Sequence, residues 1–277
     1  MPSLERSFFR ARDGVDLSYL SSAGGERTAL FLHGLAGSAG EFVETARVLP
    51  ELRTVILDLR GHGHSSRRPD DVSREVFVTD VVDAIESLGL GPVILIGQSM
   101  GAHTAMLVAA TRPDLVERLI LLEATAGGSA AADRADVAAF FRSWPVPFAD
   151  AASALAFLGE GPLSRAWVAD LERGADGLRP RFDVDVIAAI LDGLAEPRWR
   201  EWESIEVPSL VVFGENGMFT EQQKREFVER GKNAQRVDLV AAGHDAHLDS
   251  FEAWIEAIRD FVDPVRADTK AIAPGDD

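Results

Sequence analysis

Cysteine is absent from all 277 residues, so no disulfide staples this chain, and the absence fits a reducing compartment. No apolar run approaches the roughly 18 residues at which a membrane-spanning helix becomes a candidate. The opening Met1-Pro2-Ser3-Leu4-Glu5-Arg6 lacks a signal-peptide pattern. Cations are scarce as well: 28 lysines and arginines face 45 aspartates and glutamates, a formal net charge of −17. Nucleic acid and anionic membranes are therefore not expected partners, because phosphate contacts need clustered Lys and Arg. No internal repeat is visible. No pair of histidines has a persuasive metal spacing, since His62 and His64 lack a further ligand cluster. These absences lead to an expectation of a cytoplasmic protein with no metal and no cofactor, acting on a small molecule. They leave the oligomeric state open.

What is present is a chain that is 46% hydrophobic, enough to bury one α/β domain with an insertion. Arg12-Asp13-Gly14 lies between apolar-containing runs at 8–11 and 15–20, a hairpin signal. Strand patterns follow near 28–32, 54–58, 93–96, 119–123, 209–213 and 236–240. Helical patterns fall near 39–49, 73–88, 99–111, 221–231 and 250–262. Alternation of this kind implies a parallel sheet with both faces covered. Residues 264–277 are polar, without apolar periodicity, and read as a flexible tail.

Gly97-Gln98-Ser99-Met100-Gly101 stands directly behind the apolar run Val93-Ile94-Leu95-Ile96. The pattern reads as a buried strand turning sharply into a helix, with Ser99 at the apex and glycines where backbone segments crowd. The following helix points its N-terminal amides at the turn, where negative charge is favoured. Ser99 is thus the candidate nucleophile. His244, in a loop after the strand pattern at 236–240, is the candidate base. His33-Gly34-Leu35-Ala36-Gly37-Ser38 follows another strand, and the amides of Leu35 and Met100 are candidates for an oxyanion hole.

With His33-Gly34, Asp58-Leu59-Arg60-Gly61-His62-Gly63-His64-Ser65, Gly97-Gln98-Ser99-Met100-Gly101 and Gly243-His244, the chain resembles the α/β-hydrolases over residues 9–262. The resemblance implies a mostly parallel eight-stranded sheet, helices on both faces, and a lid inserted after the sixth strand. On that basis residues 1–124 and 204–263 form the core and 125–203 a helical lid. One position departs from the pattern. Relatives carry the triad acid after the seventh strand as Gly-x-x-Asp, whereas here Gly214-Glu215-Asn216-Gly217 puts glycine at the acid's position.

Glu123, at the end of Leu119-Ile120-Leu121-Leu122, is the best substitute. The sixth strand neighbours the fifth at about 4.8 Å, so a carboxylate there reaches an imidazole poised over Ser99. Burying it against aliphatic residues demands hydrogen bonds, and His244 Nδ1–H supplies one. Some members of the family, including haloalkane dehalogenases and zearalenone-type lactone hydrolases, carry a glutamate after this strand. Pairing with Arg118 is the plainer alternative. Glu215 is the runner-up acid. Asp245 adjoins the histidine and is badly placed to orient its ring.

The other histidines read as structural: His33 holds its loop, His62 and His64 shape a turn, and His103 packs on the helix behind Ser99. His247 falls toward a helix start, and Asp249 or Ser250 fits the cap of that helix. In the segment 125–203, Trp144, Phe148 and Trp167 are candidate substrate-binding residues, although such aromatics also pack a lid's own core. The expected function is a serine hydrolase cleaving an ester, lactone or related acyl bond of a mainly hydrophobic small molecule. Carbon–carbon bond hydrolysis and cofactor-free perhydrolysis on the same fold are alternatives. A binding protein that has lost turnover is another, kept open by Gly217.

Overall fold

The computed structural model describes residues 3–263; the segment read as a tail, 264–277, lies outside them. The Asp-Gly turn closes a hairpin of β1 (Glu5–Arg10) and β2 (Asp16–Ser22). Strand and helix then alternate. β3 (Thr28–Leu32) leads through a 3-10 turn (Ala39–Phe42) into α1 (Val43–Arg47). β4 (Arg53–Leu57) precedes α2 (Arg74–Ser87), and β5 (Val93–Gln98) runs into α3 (Met100–Thr111). After β6 (Val116–Leu122) comes an insertion, and the chain returns through β9 (Ser209–Gly214), α9 (Glu221–Arg230) and β10 (Ala234–Leu239). It closes with the short α10 (Ala246–Asp249) and α11 (Phe251–Val262).

The sheet has eight strands in the order β1-β2-β4-β3-β5-β6-β9-β10. Pairs from β4 to β10 are parallel, and the first hairpin adds an antiparallel edge. The fold is therefore the expected one, a mostly parallel sheet flanked by helices. Burial on both faces explains why β3, β5 and β6 read as near-continuous apolar runs. Period-two alternation sends Leu95 and Leu32 into one core and Ile94, Ile96 and Phe31 into the other. Helix α11 covers the second face with Trp254, Ile255, Ile258, Phe261 and Val262, a single apolar stripe. Each such side chain contributes about 1.5–3 kcal/mol by leaving water.

The insertion holds α4 (Ala131–Arg142), α5 (Ala151–Leu158), α6 (Pro162–Asp170), α7 (Val184–Asp192) and α8 (Trp199–Ser204). A two-stranded hairpin, β7 (Glu172–Gly174) with β8 (Gly177–Arg179), interrupts them. The sequence pattern shows only helices there, because three-residue strands are too short to set a period. The two ends of the insertion are tied together: the Arg198 amide donates to the Ala126 carbonyl (2.7 Å) and the Gly128 amide to that of Leu194 (3.1 Å). The structure separates the two cap candidates. Ser250 precedes α11, while Asp249 belongs to α10 and accepts the Gly243 amide at 2.9 Å.

Candidate active site

Three strand ends and one loop converge at the C-terminal edge of the sheet. At the end of β5, Ser99 has φ 51° and ψ −115°, a left-handed backbone that costs an L-residue on the order of 1–3 kcal/mol. The crowding around this elbow accounts for its glycines. A β-carbon at Gly97 would stand 2.5 Å from the Ala102 nitrogen, and one at Gly101 would stand 2.5 Å from the His33 carbonyl oxygen. Ser99 is half-buried and begins α3, so the Met100 amide sits in the first turn, where helical amides have no internal partner.

The loop after β3 faces this elbow. A β-carbon on Gly34 would lie 3.5 Å from Ser99 Cβ. His33 is fully buried and fixes the loop from both ring nitrogens: Nδ1 lies 2.7 Å from the Gly34 carbonyl and Nε2 accepts from the Leu59 amide at 3.0 Å. The Leu35 amide engages no hydrogen-bond partner among the described residues. The Leu35 and Met100 amides thus lie on the two segments, the loop after β3 and the first turn of α3, that meet at Ser99.

Glu123 follows β6 immediately and is fully buried, with φ 49°. Its carboxylate accepts the Gly214 amide at 2.8 Å and the Met218 amide at 3.0 Å. The same oxygen that takes the Met218 amide stands 3.2 Å from His244 Nδ1. The glutamate from one strand end thus fills the space next to the other. A β-carbon at Gly217 would lie 2.5 Å from the Glu123 carboxyl carbon. A side chain at 217 would have to push the Glu123 carboxylate away from its place on the Gly214 and Met218 amides.

The competing acids are engaged elsewhere. Glu215 is exposed and accepts the Ala241 amide at 2.8 Å. Asp245 faces Gln98, whose side-chain amide donates to it at 3.4 Å and to the His244 carbonyl at 3.2 Å. Arg118 lies over the Phe261 ring, 5.3 Å from its centroid, not beside Glu123. Gln98 is a residue that the sequence pattern does not single out. Buried between Gly34 and the His244 loop, it ties the nucleophile's neighbour to the base's backbone.

Four of the remaining histidines, His33, His62, His103 and His247, are buried, and His64 is half-buried. His62, His103 and His247 are each pushed down to about 3 by burial. His247 stacks on Phe42 at 4.7 Å within α10, away from competition with His244. Among the described residues no group of His, Cys, Asp or Glu is arranged to hold a metal ion, and no helix is long and apolar enough to cross a membrane.

Trp144, Phe148 and Trp167 belong to the insertion's own core together with Phe141, Leu178 and Phe182, and that core continues onto Leu35 and Ala36. Trp144 and Trp167 also line a small cavity walled by Ala36, Gly37 and Ser38; Phe148, 3% exposed, is absent from that lining. Two carboxyls missed by sequence reasoning, Glu41 and Asp170, line it too. Burial pushes the Glu41 carboxyl well above its ordinary value, and Asp245 and Asp170 add to the shift. Burial likewise lifts Asp170 up to about 7.

This has a consequence for stability. Asp170 unfolded titrates near 3.9, so between about pH 4 and 7 the folded state binds more protons there. Its contribution to stability is therefore present at acid pH and is lost as pH rises through about 7. Asp170→Asn should match the wild type in thermal midpoint near pH 4 and exceed it at pH 8. A difference that stays constant with pH would contradict the assignment.

The chain matches the family described as alpha/beta hydrolase fold over residues 30–251. It is 30% identical over 248 residues to an sn-1-specific diacylglycerol lipase of Mus musculus, a match covering 84% of this chain and 80% of that protein. A putative esterase/lipase of Haemophilus influenzae is 28% identical over 255 residues, covering 84% and 82%. Among solved structures, E-2-(acetamidomethylene)succinate hydrolase superposes with a TM-score of 0.86 at 21% identity, over 94% of this chain and 99% of the other. At that identity the likeness is one of fold.

Proposed function

Because the chain belongs to the α/β-hydrolase family and is a hydrolase acting on ester bonds, we propose that Ser99, His244 and Glu123 form its catalytic triad. The substrate in this reading is a mainly hydrophobic small molecule carrying an ester, lactone or related acyl bond. The observation that carries it is the 3.2 Å approach of Glu123 to His244 Nδ1, made possible by glycine at 217. With Nδ1–H donating to the carboxylate, His244 Nε2 is left as the base that takes the Ser99 proton. Ser99 Oγ attacks the carbonyl carbon, the carbonyl electron pair moves onto oxygen, and the Leu35 and Met100 amides receive that oxyanion. Collapse expels the alcohol, which takes the proton from His244. Water, activated by the same histidine, then releases the acid and restores Ser99. Loss of turnover loses its motive in this reading, since the acid missing at 217 has a counterpart at 123.

The segment 125–203 acts as a lid, its aromatic core resting on the oxyanion loop. The net charge of −17 supports a small-molecule substrate over nucleic acid or anionic membrane, and the lack of cysteine supports a cytoplasmic location. A fluorophosphonate probe should add one adduct, at Ser99, and abolish hydrolysis of a p-nitrophenyl ester. Undiminished labelling of Ser99→Ala would overturn the assignment. Neutral acyl or aryl esters should also be turned over at least tenfold faster than carboxylate-bearing esters of equal size. The aromatic core of the insertion rests on the oxyanion loop, so a preference for anionic esters would show the pocket misread.

A further inference from the structure

The cavity beside the oxyanion loop brings two carboxyls together with indole N–H groups. Glu41 is 6% exposed and Trp144 5%, and both line it with Trp167 and Asp170. The indole N–H groups of Trp144 and Trp167 are buried without a partner among the described residues. A buried donor left without an acceptor is destabilising. The cavity measures about 10 Å³, room for one water-sized group. Arg181, also in its wall, is already engaged: it donates to the Asp170 carbonyl at 3.0 Å and to Glu172 at 3.3 Å.

We propose that this cavity is a subsite for a hydroxyl group of the substrate, held between the Glu41 and Asp170 carboxyls and the indole N–H groups of Trp144 and Trp167. The proposal rests on the hydrolase reading above and adds the substrate class: esters that carry a free hydroxyl a short chain away from the scissile bond. A hydroxyl is the smallest group that both donates and accepts. It donates to a carboxyl oxygen while its lone pairs take the indole protons. An ammonium only donates and leaves the indoles unmet; a carboxylate, with two oxygens, exceeds the space. A carboxamide does both but exceeds the space. The cavity wall Ala36-Gly37-Ser38 follows Leu35 directly in the chain, which places the subsite next to the proposed oxyanion amide.

The test uses pairs of p-nitrophenyl esters of graded acyl length, each ω-hydroxyacyl ester matched with one bearing methyl in place of hydroxyl. A second set places the hydroxyl on the alcohol side. At one length in one set, the hydroxylated member should show at least tenfold higher kcat/KM, by lower KM. That ratio should fall to near one in Glu41→Met and in Trp144→Phe, which keeps a ring and deletes the N–H. Should Glu41→Met fail to fold, Trp144→Phe carries the comparison alone. Ratios near or below one at every length in both sets, with plain esters turned over, overturn the subsite and leave the hydrolase reading standing. No turnover of any ester, with Ser99 unlabelled by fluorophosphonate, removes that reading and the subsite with it.

Discussion

Glu123→Gln is expected to lower kcat by on the order of 10⁴ while the protein keeps its fold, the loss found when a serine-protease triad acid becomes its amide. The geometry explains why the amide is harmful and not merely weaker. Both carboxylate oxygens accept backbone amides, from Gly214 and Met218, and the second also faces His244 Nδ1. A carboxamide offers one oxygen and one NH₂, so at least one of these donors meets another donor. If the NH₂ turns toward the ring, Nδ1 becomes the acceptor and the proton moves to Nε2. The histidine then points a hydrogen at Ser99 and takes none from it. The mismatched amide should also cost about 1–3 kcal/mol of stability. Circular dichroism with steady-state kinetics measures both effects. Glu215→Gln should leave turnover nearly unchanged, because Glu215 is exposed and serves the Ala241 amide. Near-native turnover in Glu123→Gln, with a collapse in Glu215→Gln, would put the acid back after β9.

Gly217→Asp, which restores the family's usual acid, should by itself cost two or more orders of magnitude in turnover and lower the thermal midpoint. Its β-carbon would stand 2.5 Å from the Glu123 carboxyl carbon, and a second carboxylate would enter a buried space already holding one. The penalty should reverse sign when Glu123 is removed. Glu123→Gly with Gly217→Asp clears the space, suits the left-handed backbone at 123, and offers His244 an acid from the other strand. The double variant should therefore exceed either single variant in kcat, a coupling expected only where two side chains compete for one volume. Additive effects would mean that the two positions do not share it. A Gly217→Asp enzyme as active as the native one would dispose of the idea.

The strands, the first hairpin and the elbow were legible because period-two burial, an Asp-Gly turn and paired glycines act within a few residues. The approach of Glu123 to His244 was legible for a different reason: a gap at 217 and a carboxylate stranded at the end of an aliphatic strand point to each other. Glu41 and Asp170 were not legible. One lies in a four-residue 3-10 turn and the other ends α6, and nothing local separates either from an ordinary solvated acid. Only the folded chain, 129 positions apart in sequence, brings them to one cavity. Helix α10 escaped for want of length, since four residues set no period, and Asp249 consequently looked like the cap of its neighbour.

The place of Glu123 also decides what can be exchanged. It is the last residue before the chain leaves the sheet for the insertion, and Ala126, three residues on, is bonded to Arg198 at the insertion's far end. In relatives whose acid follows the later strand, the whole inserted segment can be cut at the strand end without touching the triad. Here the cut runs through the carboxylate that orients His244 in the proposed triad. A chimera that imports a foreign insertion must keep Glu123 and the left-handed bend it makes, or carry its own acid to position 217. Laboratory recombination at this junction would otherwise yield folded proteins that bind and do not turn over.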